Sequence, residues 1–153
     1  AEDAAPAEEA VADVAEDDLS DHISTGTDYW EGISEGFTEW HHVREGKLSA
    51  GEVRKDFIHS HGTVLHALGK AGRAALSEGE PNWKDIGVSL AELDWRRANT
   101  GVWEGRAMTA GRVSKSMNNV TLTANVIKSH LGLSLSPEEQ RVEDAYLMPE
   151  NVS

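Results

Sequence analysis

Residues 49–77 read SAGEVRKDFIHSHGTVLHALGKAGRAALS, and the spacing of their apolar side chains decides the fold class. Val53, Phe57, His61, Val64, Leu65, Leu68, Gly72 and Leu76 recur three or four positions apart, which lines one face of an α-helix. Ser49 followed by Glu52 is a capping-box pattern, in which each side chain satisfies a backbone N–H that the first turn leaves unpaired. The helix is predicted to run to Ser77 and to stop at Gly79 and Pro81. Gly62, Gly69 and Gly72 within it suggest that a neighbouring backbone comes close.

Upstream, Trp30, Ile33, Phe37, Trp40 and Val43 repeat the helical spacing and predict a first helix that ends near Gly46. Its interior Gly32 and Gly36 weaken it by about 1 kcal/mol each relative to Ala, so it depends on tertiary packing. Downstream, Asn82 caps a short helix whose Trp83, Ile86, Leu90 and Leu93 face inward. Residues 94–111 lack periodicity and contain Gly101, Gly105 and Gly111, which predicts a long loop docked through Trp95 and Trp103. Helical spacing returns from Val113 to Leu131, with Gly132 as the C-cap residue. A last helix carries Ser136 as cap, Pro137 in the first turn and Glu139 completing the box, and Pro149 ends it. No convincing strand pair is visible. The expected fold is all-α: a helical bundle of about five helices, two of them long, with one long structured loop.

Charge divides the chain. Residues 1–21 hold nine acids and no Lys or Arg, and bury too little apolar surface to offset their ordering entropy. They read as a disordered acidic leader or linker, with the helical domain at residues 22–150. All 14 basic residues fall between positions 44 and 141, where they outnumber the acids by three, although the whole chain carries −13. The absence of Cys excludes a disulfide framework, a thiolate nucleophile and Cys-ligated zinc. No apolar run approaches the ~18–20 residues needed to span a bilayer, so no membrane role is expected. The expected compartment is the cytoplasm. The first residue is Ala rather than Met, and with the linker-like leader this reads as a fragment of a longer protein.

The seven histidines show no Glu-x-x-His or His-Glu-x-x-His spacing, and His59 and His61 are two apart, which places them on different helix faces. His61 and His66 read as packed or hydrogen-bonded helix residues, and no metal and no cofactor is expected. There is no nucleophile elbow, Walker lysine loop or Gly-x-Gly-x-x-Gly turn, and the chain reads as a non-enzyme.

The most informative stretch is residues 95–128, WRRANTGVWEGRAMTAGRVSKSMNNVTLTANVIK. Arg96, Arg97, Arg106, Arg112, Lys115 and Lys128 face one acid, Glu104, inside an acidic protein. These cations can neutralise phosphates, while Asn118, Asn119 and Asn125 can hydrogen-bond backbone or bases. Residues 112–115 are expected at a helix N-terminus, where free N–H groups attract anions. The competing reading has the arginines paired with acids elsewhere and bracing the loop. The nucleic-acid candidates are Arg96, Arg97, Arg106, Arg112, Lys115, Asn118, Asn119 and Lys128.

Residues 94–128, followed by LGLSLSPEEQRVEDAYL and preceded by WHHVREGKLSAGEVRKDFIHSHGTVLHALGKAGRAAL, resemble the C-terminal helical part of the DndB family. The resemblance covers roughly residues 28–147 and is most distinctive from Trp95 to Lys115, through Trp103, Glu104, Gly105, Arg106, Gly111 and Arg112. Members are DNA phosphorothioation-associated proteins that also carry a DGQHR domain. The resemblance implies a helical accessory domain of a regulator that binds DNA and represses the operon for backbone sulfur modification. The expected partners are DNA and, alternatively, a second copy or a sister domain of the same protein. In that alternative, Trp30, Phe37 and Trp40 supply an interface anchor and the arginines are structural.

Overall fold

Both stretches whose spacing predicts a long N-terminal helix are broken in two, and each break falls at a phenylalanine. The computed structural model describes residues 26–148. Helix α1 covers residues 26–36 and α2 covers Thr38–Arg44, with Phe37 between them in an extended conformation. Helix α3 is Ala50–Asp56 and α4 is Gly62–Ser77. The single helix expected over 49–77 is thus two, because residues 57 and 58 leave the helical ladder to pair with residues 95 and 96. Phe57 bridges Arg96, Ile58 N–H donates to Trp95 O at 2.9 Å, and Arg97 N–H donates to Asp56 O at 2.7 Å. Long-range backbone pairing overrides a local pattern that fits a continuous helix equally well.

Helix α5 is Trp83–Ala91, capped by Asn82, whose side chain accepts from Asp85 N–H as its sequence predicts. The expected loop at 94–111 has more structure than its composition suggests. It contains the short α6, Thr100–Trp103, and opens an antiparallel hairpin of β1, Met108–Thr109, and β2, Arg112–Val113. This strand pair corrects the expectation of none; two residues per strand are too few to show period-two alternation. Helix α7, Met117–His130, starts four residues later than the predicted Val113, because Arg112 and Val113 are committed to the hairpin and Ser116 caps the helix. Residues 112–115 therefore precede the helix instead of forming its first turn. Helix α8, Pro137–Leu147, has the full Ser136–Glu139 capping box. The architecture is all-α with one small hairpin.

The core forms where α4 packs along α7. Leu68, Ala71, Ala124 and Ile127 are fully buried there, with Ile33, Phe37, Leu90, Trp95, Trp103 and Met108 around them. Trp95 and Trp103 dock as expected, stacked at 5.1 Å between ring centroids, and their indole N–H groups donate to Leu90 O and Asp94 O, each at 2.7 Å. Helices α1 and α5 touch backbone to backbone: a Cβ at Gly87 would collide with the Gly32 carbonyl, and one at Gly36 with the Gly87 backbone. The glycines that weaken α1 thereby permit its closest contact. In α4 only Gly72 meets a neighbour, the Tyr29 ring; Gly62 and Gly69 face open space, contrary to expectation. Among the described residues no helix is long and apolar enough to cross a membrane. The predicted acidic leader at 1–21, the domain boundary at 22 and the stop at Pro149 lie outside the described residues.

Candidate nucleic-acid interface

The hairpin turn is set by Ala110 and Gly111, with φ of 54° and 78°. Such a turn needs positive φ at both central residues, which Gly111 adopts freely and Ala110 does not. The Glu104 carboxylate compensates by accepting from Ala110 N–H at 2.5 Å and Gly111 N–H at 3.2 Å. The one acid of the basic stretch is therefore engaged by backbone, and Arg112, which follows the turn, is exposed with no side-chain partner among the described residues. Lys115, between the hairpin and α7, is likewise exposed and unpaired there, as is Asn118 in the first turn of α7.

Arg97 lies beside this turn. Its guanidinium donates to Arg54 O at 2.8 Å and Gly111 O at 3.4 Å, and lies 3.1 Å from His61 Nε2. Burial, helped by Arg97 and Arg54, holds His61 below the ordinary histidine range, so the neutral ring can accept from Arg97. His61 Nε2 is also 3.2 Å from Arg54 O, and it can donate there only as the other tautomer. His61, Thr63, His66, Val113 and Lys115 line a cleft of about 230 Å³ at the start of α4, and no carboxylate is among its lining residues. No side chain caps α4 and no acid lies in its first turn. The Thr63 hydroxyl donates to Ser114 O, fastening the start of α4 to the segment that carries Lys115.

The other predicted cations face elsewhere. Arg96 is exposed but forks onto Asp94, with Nε to Oδ1 at 2.8 Å and Nη2 to Oδ2 at 2.7 Å; that bond draws the Asp94 carboxyl down to about 2. Arg106 is buried, donating to Leu122 O at 3.0 Å and to both Glu143 oxygens at 2.8 and 2.7 Å, with the Tyr146 ring 4.4 Å from its Cζ. Burial opposes its charge, and the Glu143 contact outweighs burial, so its proton is held more tightly than usual. The same contact, more than burial, sets the Glu143 carboxyl below its ordinary range. Lys128 is buried against Glu139 at 2.5 Å. Burial would raise the Glu139 carboxyl, but its bonds from Lys128 and the Ser136 cap hold it low. Asn119 is buried and ties the hairpin to α7, donating to Arg106 O at 2.5 Å and accepting from Ser114 and Ser116 hydroxyls. Asn125 donates to Glu139 O at 3.1 Å. The eight candidates thus split: Arg112, Lys115 and Asn118 are exposed and unpaired among the described residues, with only Lys115 of them lining the cleft, Arg97 is bonded to backbone carbonyls beside the hairpin turn, Arg106, Asn119 and Lys128 join a buried network, and Arg96 is forked onto Asp94.

Sequence reasoning missed one polar site. His59 is fully buried between the Phe37 and Phe57 rings, at centroid distances of 4.9 and 5.2 Å, and its Nε2 lies 2.7 Å from Glu39 Oε1. The two helix breaks bring those phenylalanines to either side of the imidazole. The contact has ion-pair length, yet burial holds His59 below the ordinary histidine range despite Glu39, so near pH 7 a neutral ring donates its Nε2 proton. His59 Nδ1 has no partner among the described residues. Nothing local in the sequence distinguishes this histidine from His61. Among the described residues no group of three His, Asp or Glu side chains is placed to hold a metal ion.

Fold and surface together define an all-α domain with a cleft beside a hairpin, lined by Lys115 and by no acid. The chain belongs to the DndB family, described as DNA-sulfur modification-associated, whose model matches residues 7–134. That match starts within the acidic residues 1–21 and stops before α8, whereas the resemblance read from the sequence covers 28–147. No curated protein and no solved structure matches the chain.

Proposed function

We propose that this domain serves a DNA-binding transcriptional regulator of phosphorothioation and holds the DNA backbone on the rim of Arg97, Arg112 and Lys115. One observation carries the reading. Of the six cations between residues 95 and 128, Arg112 and Lys115 alone lack a side-chain partner among the described residues, and Lys115 lines a cleft that has no acid in its lining. Side chains left free in an acidic protein are available to phosphate, and the open start of α4 adds N–H groups with the same preference. Arg97 sets the position of the rim through its bonds to backbone carbonyls. The regulatory role rests on the family's association with DNA sulfur modification. In a gel-shift titration with duplex DNA, R112A/K115A is expected to bind about tenfold or more weakly than the native protein, as for two lost phosphate contacts. K84A, which removes an exposed cation on α5, is expected to bind normally. Equal affinity for all three proteins would remove the DNA reading.

A second reading takes the domain as a module that pairs with another copy or with a sister domain of the same protein. It is favoured by a groove of about 540 Å³ lined by Tyr29, Trp30, Leu76 and Trp83, with Leu76 46% exposed. Phe37 is buried and cannot contribute to that surface, while Trp30 and Trp40 remain half-buried. Light scattering that reports a strict monomer counts against self-pairing.

A further inference from the structure

We propose that the recess beside Trp40 binds a nucleoside phosphate, with the base against the indole and the phosphate between Arg44 and Arg54. The recess has a volume of about 350 Å³ and is lined by Ser34, Trp40, Arg44, Arg54, Ser60 and Leu65, among others, none of them acidic. That volume suits a small ligand. It has no lining residue in common with the cleft beside Lys115, and the two meet at the last turn of α3, where the Arg54 side chain lines the recess while its carbonyl anchors Arg97.

The chemistry of the lining narrows the ligand. Arg44 has no side-chain partner among the described residues, and the adjacent Glu45 is engaged by His41 and Lys47. Among the described residues the Arg54 side chain makes one long bond, to Ser60 O at 3.4 Å. Two guanidinium groups without a carboxylate call for an anion, and their planar forks match phosphate oxygens. Trp40 is held in place by Trp30, stacked at 6.3 Å, and by the edge of Phe37 at 5.0 Å, so it offers a fixed aromatic platform. An inorganic anion leaves the indole unused, and an apolar side chain leaves both arginines unused. An aromatic base carrying a phosphate uses all three, and every base has a face that stacks. The Ser34 and Ser60 hydroxyls make no bond to the described residues and can serve the sugar or the base edge.

The inference does not rest on the DNA reading, and its test separates the two. Isothermal titration of the whole chain uses deoxyguanosine monophosphate as probe, with deoxyguanosine and inorganic phosphate as partial probes. The monophosphate is expected to bind with one-to-one stoichiometry, and each partial probe at least about tenfold more weakly. R44A/R54A should lose at least about tenfold in affinity, because the fork contacts are gone while the Arg54 carbonyl, and with it the Arg97 anchor, remains. W40A should lose a similar factor and W40F should retain most of the binding, and circular dichroism melts identify any variant that fails through unfolding. A 5′-phosphorylated single strand that displaces the monophosphate identifies DNA as the source, and one that does not identifies a free nucleotide. R112A/K115A should bind the monophosphate normally even where duplex binding is lost. No heat of binding to the native protein, or affinity unchanged in a folded R44A/R54A and a folded W40A, overturns the proposal.

Discussion

Truncating Arg106 to Ala removes a guanidinium that makes three hydrogen bonds to Glu143 and Leu122 and faces the Tyr146 ring. The pair it leaves is nearly dry, with side-chain exposures of 10% and 15% for Arg106 and Glu143. Removing one partner of a buried ion pair costs about 3–5 kcal/mol, because the other charge is left without compensation. Here Glu143 keeps a bond from Asn125 at 3.2 Å and some access to water, which favours the lower end, about 3 kcal/mol. For a domain of this size that lowers the melting temperature by roughly 10 °C. The assay is thermal unfolding followed by circular dichroism, with R106M/E143L, which removes both charges, measured beside R106A. Replacing both charges by apolar groups is expected to recover most of the loss, since the penalty of R106A lies in the stranded carboxylate. Below its melting point R106A should bind duplex DNA like the native protein. An R106A variant that melts within about 2 °C of native yet loses DNA affinity would refute the assignment of this arginine to the interior.

Gly87→Ala forces α5 away from the Gly32 carbonyl and is expected to destabilise by about 1–3 kcal/mol, whereas Gly69→Ala, in open space on α4, should stabilise by about 0.5–1 kcal/mol; urea melts decide both. Stability should also fall as acidity rises past the ordinary histidine value of about 6.5. His59 has its folded-state value depressed by burial, so the unfolded chain takes up a proton that the folded chain resists, and stability present above that pH is lost on the way down to the depressed value. H59F, which keeps an aromatic ring between Phe37 and Phe57, should flatten this part of the pH–stability curve; an undiminished slope would exclude His59 as its source.

Helix ends governed by their own side chains were legible in the sequence: Asn82 starts α5, and Ser136, Pro137 and Glu139 start α8. The breaks at Phe37 and Phe57 were not, since three-to-four spacing runs through both, and pairing of residues 56–58 with 95–97 decides the second. The hairpin hid behind strands of two residues and a turn in which Ala110 takes a positive φ held by Glu104. The candidate site was visible as a count of charges but not as a direction. Arg106 and Lys128 look like Arg112 and Lys115 in the sequence until α8 folds back and sets Glu143 and Glu139 against the first pair. Arg97 depends on carbonyls of Arg54 and Gly111, groups that every residue carries and that no residue type announces.

Counterion release separates phosphate contact from every other cause of weakened binding, because each neutralised phosphate adds about 0.9 to the slope of log affinity against log salt concentration. Measured on duplex DNA, R112A/K115A should show a slope shallower by about 1.8 than the native protein. Parallel lines for the two proteins would contradict the claim that Arg112 and Lys115 meet the DNA backbone.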